Sequence, residues 1–293
     1  MKDRRIYALG FFDGVHRGHQ ALLAAAVDLA KAEKAEAWVV TFDTHPQNLV
    51  QGTAPLLINT AQDRRRLLES YGMAGVQTLR FDETTKNMPW QDFFSYLTAD
   101  LKACGLVCGD DFRFGKGGQG NATLLQQACK EKGIPCVVVP EQTVNGVRIS
   151  STHIRGLMEA GQMAEAVEFL GHPHILTGTV ISGRKLGRTI GIPTANLQLP
   201  AGLVVPKLGV YACTAHVGKH SYVAVTNVGM RPTVGGHHIT VEPWLLDFEG
   251  DLYGKELTLQ FHAFLRPERK FDTLEDLKAE IQKNAAEAYK LLK

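Results

Sequence analysis

From Ile6 to Val139 short apolar runs alternate with longer segments of helical periodicity, and after that the alternation stops. Ile6–Phe12, Ala37–Phe42, Gly75–Phe81, Leu106–Gly109 and Ile134–Val139 read as strands. Gln20–Lys34, Thr60–Tyr71, Trp90–Lys102 and Asn121–Lys132 read as helices between them, with Arg64, Arg65 and Arg66 partly exposed on the second. Strict alternation of this kind predicts an α/β unit, a parallel sheet with helices on both faces. Ligands of such sheets bind beyond the carboxyl ends of the strands, so the residues just after each strand carry the functional information.

Past Ile149 the pattern changes. Ser151–Glu159 and Met163–Leu170 read as two short helices, and Gly171-His172-Pro173 closes them. Strand-like runs follow at Ile175–Ser182, Gly209–Val217, Tyr222–Val228, Ile239–Phe248 and Glu256–Phe264, punctuated by Gly and Pro, and Thr273–Leu292 is helical. Consecutive strands closed by one helix predict a small β-barrel with a terminal helix. The chain of 293 residues has room for two domains. The boundary is expected near Gly171–Pro173, giving domains 1–172 and 173–293.

The 32 Lys and Arg against 30 Asp and Glu leave a net charge of +2, so there is no bulk field for nucleic acid or a membrane surface. No apolar run approaches the ~18 residues of a membrane span. Cys104, Cys108, Cys129, Cys136 and Cys213 make an odd count without CxxC spacing, and a charged start, Met1–Arg5, is no secretory signal. A reducing, cytoplasmic setting is the expectation. The four-residue spacing of Cys104 and Cys108 would suit two metal ligands on a helix, but nothing nearby completes a zinc set, which favours buried thiols.

The segment Gly10-Phe11-Phe12-Asp13-Gly14-Val15-His16-Arg17-Gly18-His19 lies between the first strand and the first helix. Gly14 and Gly18 permit a tight turn and close approach of the backbone to a ligand. A helix start presents unpaired N–H groups to phosphate oxygens. His16 and His19, three apart, can face one phosphate and donate to it as charge develops. Their place between strand and helix favours this over a capped turn with solvent histidines. Thr41-Phe42-Asp43-Thr44-His45-Pro46 and Cys108-Gly109-Asp110-Asp111-Phe112-Arg113-Phe114-Gly115 end two further strands. The second, taken alone, reads as a tight loop whose acids, rings and Arg could also flank a planar ring system. Ser150-Ser151-Thr152-His153-Ile154-Arg155 is a hydroxyl-rich helix start, with Arg155 adding positive charge near an anion-attracting terminus.

The strand-rich half carries another constellation. Gly178-Thr179-Val180-Ile181-Ser182-Gly183-Arg184-Lys185-Leu186-Gly187-Arg188 combines glycines with three cations and reads equally well as a phosphate loop or a basic hairpin turn. In Gly191-Ile192-Pro193-Thr194-Ala195-Asn196 the side chains of Thr194 and Asn196 share one face of an extended segment. Neutral oxygens bind Mg²⁺ poorly without phosphates and waters, so a turn is the plainer reading. Glu242, within an apolar strand, is either outward and solvated or inward and functional, and periodicity does not choose.

Together these segments resemble the bacterial bifunctional riboflavin kinase/FAD synthetase family, over about residues 6–290. The amino-terminal part is similar to nucleotidyltransferases with an HxGH motif and a serine-rich helix start. The resemblance implies that His16 and His19 act on the ATP phosphates, and that Gly10, Asp13, Gly14, Gly18, Ser151, Thr152 and Arg155 bind the nucleotide. It places Asp111, Phe112 and Arg231 near the flavin. The Gly-x-Pro-Thr-Ala-Asn segment resembles the riboflavin kinase signature, and Arg231-Pro232-Thr233, Glu242, Tyr253-Gly254 and Leu265-Arg266-Pro267-Glu268 follow in the family's order. By that likeness Thr194 and Asn196 serve Mg-ATP, Gly183, Lys185 and Gly187 bind nucleotide, and Glu242 is the catalytic base. The implied fold is a Rossmann-like nucleotidyltransferase domain followed by a six-stranded antiparallel barrel with a carboxyl-terminal helix. The implied chemistry is phosphorylation of riboflavin to FMN and adenylylation of FMN to FAD, with ATP as co-substrate and Mg²⁺ at each site. Riboflavin, FMN and ATP are the partners expected, with no nucleic acid and no membrane; the resemblance fixes no oligomeric state. Phe11 and Thr44 stand where the family commonly has Asn and Pro, and Pro243-Trp244 and His172-Pro173-His174 also depart from its usual residues. A flavin carrier that kept the fold without the chemistry is the competing class, and the joint presence of His16, His19, Thr194, Asn196 and Glu242 weighs against it.

Overall fold

The computed structural model describes residues 4–47, 55–183, 187, 191–233 and 236–293, with the backbone only for 231–233 and 236–238. The chain forms two compact units, Met1–Leu56 with Ala61–Ser150, and Leu57–Thr60 with Ser151–Lys293.

The first unit runs β1 (Arg5–Leu9), α1 (Arg17–Glu33), β2 (Glu36–Phe42), α2 (Ala61–Ser70), β3 (Gly75–Leu79), α3 (Glu83–Asn87) and α4 (Trp90–Ser95). It continues with β4 (Ala103–Gly109), the short pair β5 (Arg113–Phe114) and β6 (Gly120–Asn121), α5 (Ala122–Lys132), β7 (Cys136–Val139) and the pair β8 (Thr143–Val144) and β9 (Val147–Arg148). The main sheet has the order β3-β2-β1-β4-β7, and all its pairs are parallel. Because β2 and β4 flank β1, the winding reverses beside β1, and that is where such sheets open a ligand crevice at their carboxyl ends. Tyr7, Leu9, Val40, Leu106, Cys108, Leu125 and Cys129 form the apolar core on one face.

Three expectations shift here. β1 ends at Leu9 rather than Phe12, because Phe12 is left-handed at φ 60° and cannot continue a strand. The expected helix Trp90–Lys102 divides into α4 and a π turn over Tyr96–Asp100, ending before Lys102, which is itself left-handed at φ 54°. Cys104 and Cys108 lie on β4, not on a helix, and Cys108 is buried.

The second unit opens with α6 (Ser151–Ala160) and α7 (Met163–Leu170). A closed barrel follows, built from β10 (His174–Ile181), β11 (Asn196–Gln198), β12 (Gly209–Val217), β13 (His220–Thr233), β14 (Gly236–Leu245) and β15 (Glu256–Arg266), in the order β10-β11-β14-β13-β12-β15. All its pairs are antiparallel. The periodicity reading misses β11, since three residues next to a Pro-Thr pair carry no alternation of their own. The closing helix α8 (Leu274–Leu292) is capped by Thr273, whose hydroxyl accepts from the Asp276 N–H at 3.1 Å. Its Ala285 and Ala288 pack on Val210, Ala212, Val225 and Leu246. The helix α7 turns Met163, Ala166, Phe169 and Leu170 inward, so α6 and α7 are structurally part of the barrel unit.

Candidate active sites

In the first unit β1 hands over to α1 through a strained turn. Phe12 at φ 60°, Gly14 at φ 79° and Val15 at φ 41° all lie in the left-handed region, and a β-branched residue is costly there. The turn is over-determined by its bonds. The Val15 N–H donates to the Phe12 carbonyl at 3.1 Å, and the Gln20 amide to the Val15 carbonyl at 2.9 Å. The Gly10 N–H reaches the Val40 carbonyl at 3.2 Å, and the Thr41 hydroxyl donates to the Phe11 carbonyl at 3.0 Å. Gly10 and Gly18 earn their place by room: a Cβ at Gly10 would press on the Phe12 ring at 3.1 Å, and one at Gly18 on His16 Nδ1 at 3.2 Å.

His16 is the N-cap of α1. Its Nδ1 accepts from the His19 N–H at 3.3 Å, and the two rings stack with centroids 3.6 Å apart at 13°. His19 also leans on Phe12 at 5.1 Å, and its own Nδ1 is sealed from solvent without a hydrogen-bond partner. Burial, then the positive potential of His16 and of Arg64, holds the His19 imidazole well below its ordinary pKa. The pair is therefore brought together as expected, and His19 stands neutral at pH 7, able to donate from one ring nitrogen. Asp13 is 2% exposed in the same turn.

Arg64 is a correction. It is 3% exposed, not partly exposed like Arg65 and Arg66. The signal was present in the sequence: Arg64, Leu67 and Leu68 share one helical stripe, and its two leucines are buried.

Asp111 and Phe112 follow β4. Arg148 donates to Asp111 at 2.6 Å and forms an ion pair with Glu141 at 2.9 Å, while Phe112 stacks on Phe114 at 5.4 Å. Ser151, Thr152 and Arg155 stand on the first turns of α6 in the second unit.

In that second unit a cavity of about 390 Å³ opens between the barrel and α8. Thr194, Asn227, Glu242, Trp244 and Glu268 line it, with Arg266, Phe271 and Leu274. Glu242 sits half-buried on β14 opposite Asn227 of β13, on the face of the barrel that Trp244 and Val225 turn toward α8, and it lines the cavity. The nearby Asp247 lies past the end of β14, accepts a hydrogen bond from the Tyr289 hydroxyl and does not line the cavity. Glu268 is the acid that sequence reading passed over as a site residue; it accepts from the Asn227 amide at 3.5 Å. Of the Pro-Thr-Ala-Asn segment Thr194 reaches the cavity; the Ala195 N–H bonds the Pro243 carbonyl at 2.9 Å, and Asn196 begins β11. Gly183 leaves room for the Asn196 side chain, and Gly187 for the Ile192 carbonyl, which a side chain at either position would strike. Lys185 lies outside the described residues, as does the side chain of Arg231. Among the described residues no group of three or more His, Cys, Asp and Glu could hold a metal ion.

One unit thus holds a stacked imidazole pair at a helix start, and the other a carboxylate lining a largely apolar cavity. Phosphoryl transfer is the chemistry common to both, and the molecule falls among the two-site, nucleotide-using transferases. Family models agree: residues 1–153 match FAD synthetase and residues 170–292 match riboflavin kinase. A bifunctional riboflavin kinase/FMN adenylyltransferase of Escherichia coli K12 is 37% identical over 95% of this chain and 90% of its own length. The Bacillus subtilis protein of the same name is 33% identical over 97% and 92%. A solved Streptococcus pneumoniae structure, described as a macrolide-efflux protein, is 29% identical, covers 98% of this chain and 94% of that one, and has a TM-score of 0.89. No helix among the described residues is long and apolar enough to cross a membrane. The chain belongs to the bifunctional riboflavin kinase/FMN adenylyltransferase family.

Proposed function

We propose that this chain phosphorylates riboflavin to FMN in its barrel unit and adenylylates FMN to FAD through its sheet unit, with ATP the donor in both. The observation that carries this is the coexistence in one chain of two chemically different centres: the stacked His16–His19 pair on a strained helix start, and Glu242 in the barrel cavity. In the kinase step the ribityl 5′-hydroxyl oxygen attacks the γ-phosphorus, its proton passes to the Glu242 carboxylate, and ADP leaves. In the transferase step an FMN phosphate oxygen attacks the α-phosphorus and pyrophosphate leaves. Positioning and charge stabilisation carry most of both steps.

Glu242 is the base, and His16 and His19 donate to the phosphates. By the family resemblance, Ser151, Thr152 and Arg155 also serve the ATP phosphates, Gly183, Lys185 and Gly187 the kinase nucleotide, and Asp111, Phe112 and Arg231 the flavin. The functional division is at residues 172 and 173. Thr194 and Asn196 would hold Mg²⁺. They supply hard neutral oxygens, Thr194 lining the cavity and the Asn196 side chain lying against Gly183, a donor set that fits the ion only beside nucleotide phosphates. When bound, Mg²⁺ neutralises charge on those phosphates. The five free cysteines suit a reducing cytoplasm.

The test is incubation of the full chain with riboflavin, Mg²⁺ and ATP, followed by separation of the flavins. FMN and then FAD are expected. FMN alone restricts the chain to the kinase, FAD only from supplied FMN restricts it to the transferase, and tight flavin binding without turnover makes it a carrier.

A further inference from the structure

Arg64 on α2 is a buried cation that is only partly satisfied. It is 3% exposed, and an arginine keeps its charge even there. Its Nη2 donates to the Phe42 carbonyl at the end of β2 at 3.2 Å, and its guanidinium carbon lies 4.4 Å over the Phe11 ring. Phe11 is in turn held edge-on by His45 at 4.7 Å. Nη1 is sealed from solvent and has no hydrogen-bond partner. A fully buried guanidinium N–H left open is expensive, and proteins rarely keep one without a use for it. The group stands where β1 and β2 end, against the loop that carries His16 and His19.

We propose that Arg64 is a phosphate-binding residue of the adenylyl-transfer site, its open Nη1 donating to the pyrophosphate portion of ATP. The proposal rests on the reading of this unit as the FMN adenylyltransferase. Asp13, buried in the adjoining turn, supplies an opposing charge that favours the charged guanidinium. Stacking on Phe11 fixes the plane of the fork, so a phosphate oxygen meets an oriented donor and not a flexible point charge. ATP and FMN both bring phosphates; the pyrophosphate end is assigned because Arg64 packs over Phe11, in the same β1–α1 turn whose Phe12 contacts the stacked His16–His19 pair.

The test uses the full chain as wild type, Arg64→Gln and Arg64→Lys. Inorganic pyrophosphate and FMN are titrated separately by calorimetry, and FAD formation from FMN and FMN formation from riboflavin are measured in parallel. Arg64→Gln is expected to weaken pyrophosphate binding and raise the KM for ATP in FAD formation by ~10–100-fold, the scale of one lost charged hydrogen bond. Arg64→Lys should recover part of that loss. FMN affinity and the kinase rate should stay within about threefold, well inside that scale. Weakened FMN binding with unchanged pyrophosphate binding would overturn the assignment to ATP. Equal losses for both ligands, unrelieved by Arg64→Lys, would reduce Arg64 to a clamp on Phe11. A wild type that makes no FAD would refute the adenylyltransferase reading instead, while the pyrophosphate titration would still decide whether Arg64 binds phosphate.

Discussion

The two centres handle the same nucleotide with opposite equipment. The sheet unit offers a stacked imidazole pair, with His19 held neutral by burial, and a buried guanidinium; the barrel unit offers carboxylates at the wall of an apolar cavity. The nucleophiles account for the difference. FMN attacks with a phosphate oxygen that is already ionised near pH 7, so that site needs donors and positive charge but no base. Riboflavin attacks with an alcohol, which is a poor nucleophile until its proton is accepted, so that site needs a carboxylate within reach. The protonation state of the incoming group, more than the identity of the donor, decides which side chains a phosphoryl-transfer site requires.

The largest expected effect tests the base. Glu242→Gln keeps shape and hydrogen bonding but cannot take the proton, and it should lower FMN formation by ~10²–10⁴-fold. FAD formation from supplied FMN should survive, and Glu268→Gln should lower FMN formation far less. A larger loss from Glu268→Gln, measured under the same saturating riboflavin and Mg-ATP, would move the base to Glu268.

Next comes the imidazole pair. His19→Ala should cut FAD formation by ~10²-fold or more, the scale of one lost donor to developing charge, with kinase turnover unchanged. Parallel losses in the two assays would mean that the residue acts through folding of the whole chain.

The boundary between the centres can be tested by truncation. A fragment of residues 151–293 should fold and phosphorylate riboflavin, because α6 and α7 belong to the barrel unit. A fragment of residues 173–293 should keep the activity but lose stability, since it gives up the inward faces of Met163, Phe169 and Leu170. Each buried side chain of that kind contributes ~1.5–3 kcal/mol. Identical melting temperatures of the two fragments would show that α7 lends the barrel nothing.

The smallest effect concerns pH. His174, at the start of β10, is fully buried, and neither ring nitrogen has a hydrogen-bond partner. Burial, with the neighbouring His172, drives its pKa from 6.5 down to about 3. The unfolded chain therefore takes up this proton first. Stability is unaffected above pH ~6.5 and falls as pH drops from there toward 3, by ~1.4 kcal/mol per unit. At pH 4.5 the deficit should be ~2–3 kcal/mol. His174→Phe should remove that part of the slope in urea titrations at pH 7 and pH 4.5, and an unchanged slope would assign the acid sensitivity to other groups.

Much of this was legible because it is local. Alternation of strand and helix announced the parallel sheet, since a period of 2 against 3.6 is written in consecutive residues. His16 and His19 could be paired from spacing because one helical turn sets their separation, and a helix start dictates what they face. The barrel's outline was visible in its long strands, but β11 was not: Asn196–Gln198 is a strand only because β10 and β14 pair with it. Periodicity left Glu242 undecided because either face of an isolated strand is possible until a sheet closes.

What the sequence by itself determined is the order of elements, the turn and helix-start chemistry at His16 and His19, and the residue types each reaction needs. Only tertiary structure decided that Glu242 and Glu268, 26 positions apart, line one cavity, and that Asp247 is drawn away to Tyr289. It set Arg64, which the helical stripe with Leu67 and Leu68 only hinted was buried, over the Phe11 ring, and it alone grouped α6 and α7 with the barrel. The physical reason is that backbone propensity and side-chain periodicity act over a few residues, whereas burial, desolvation and the meeting of distant charges exist only once the layers have packed.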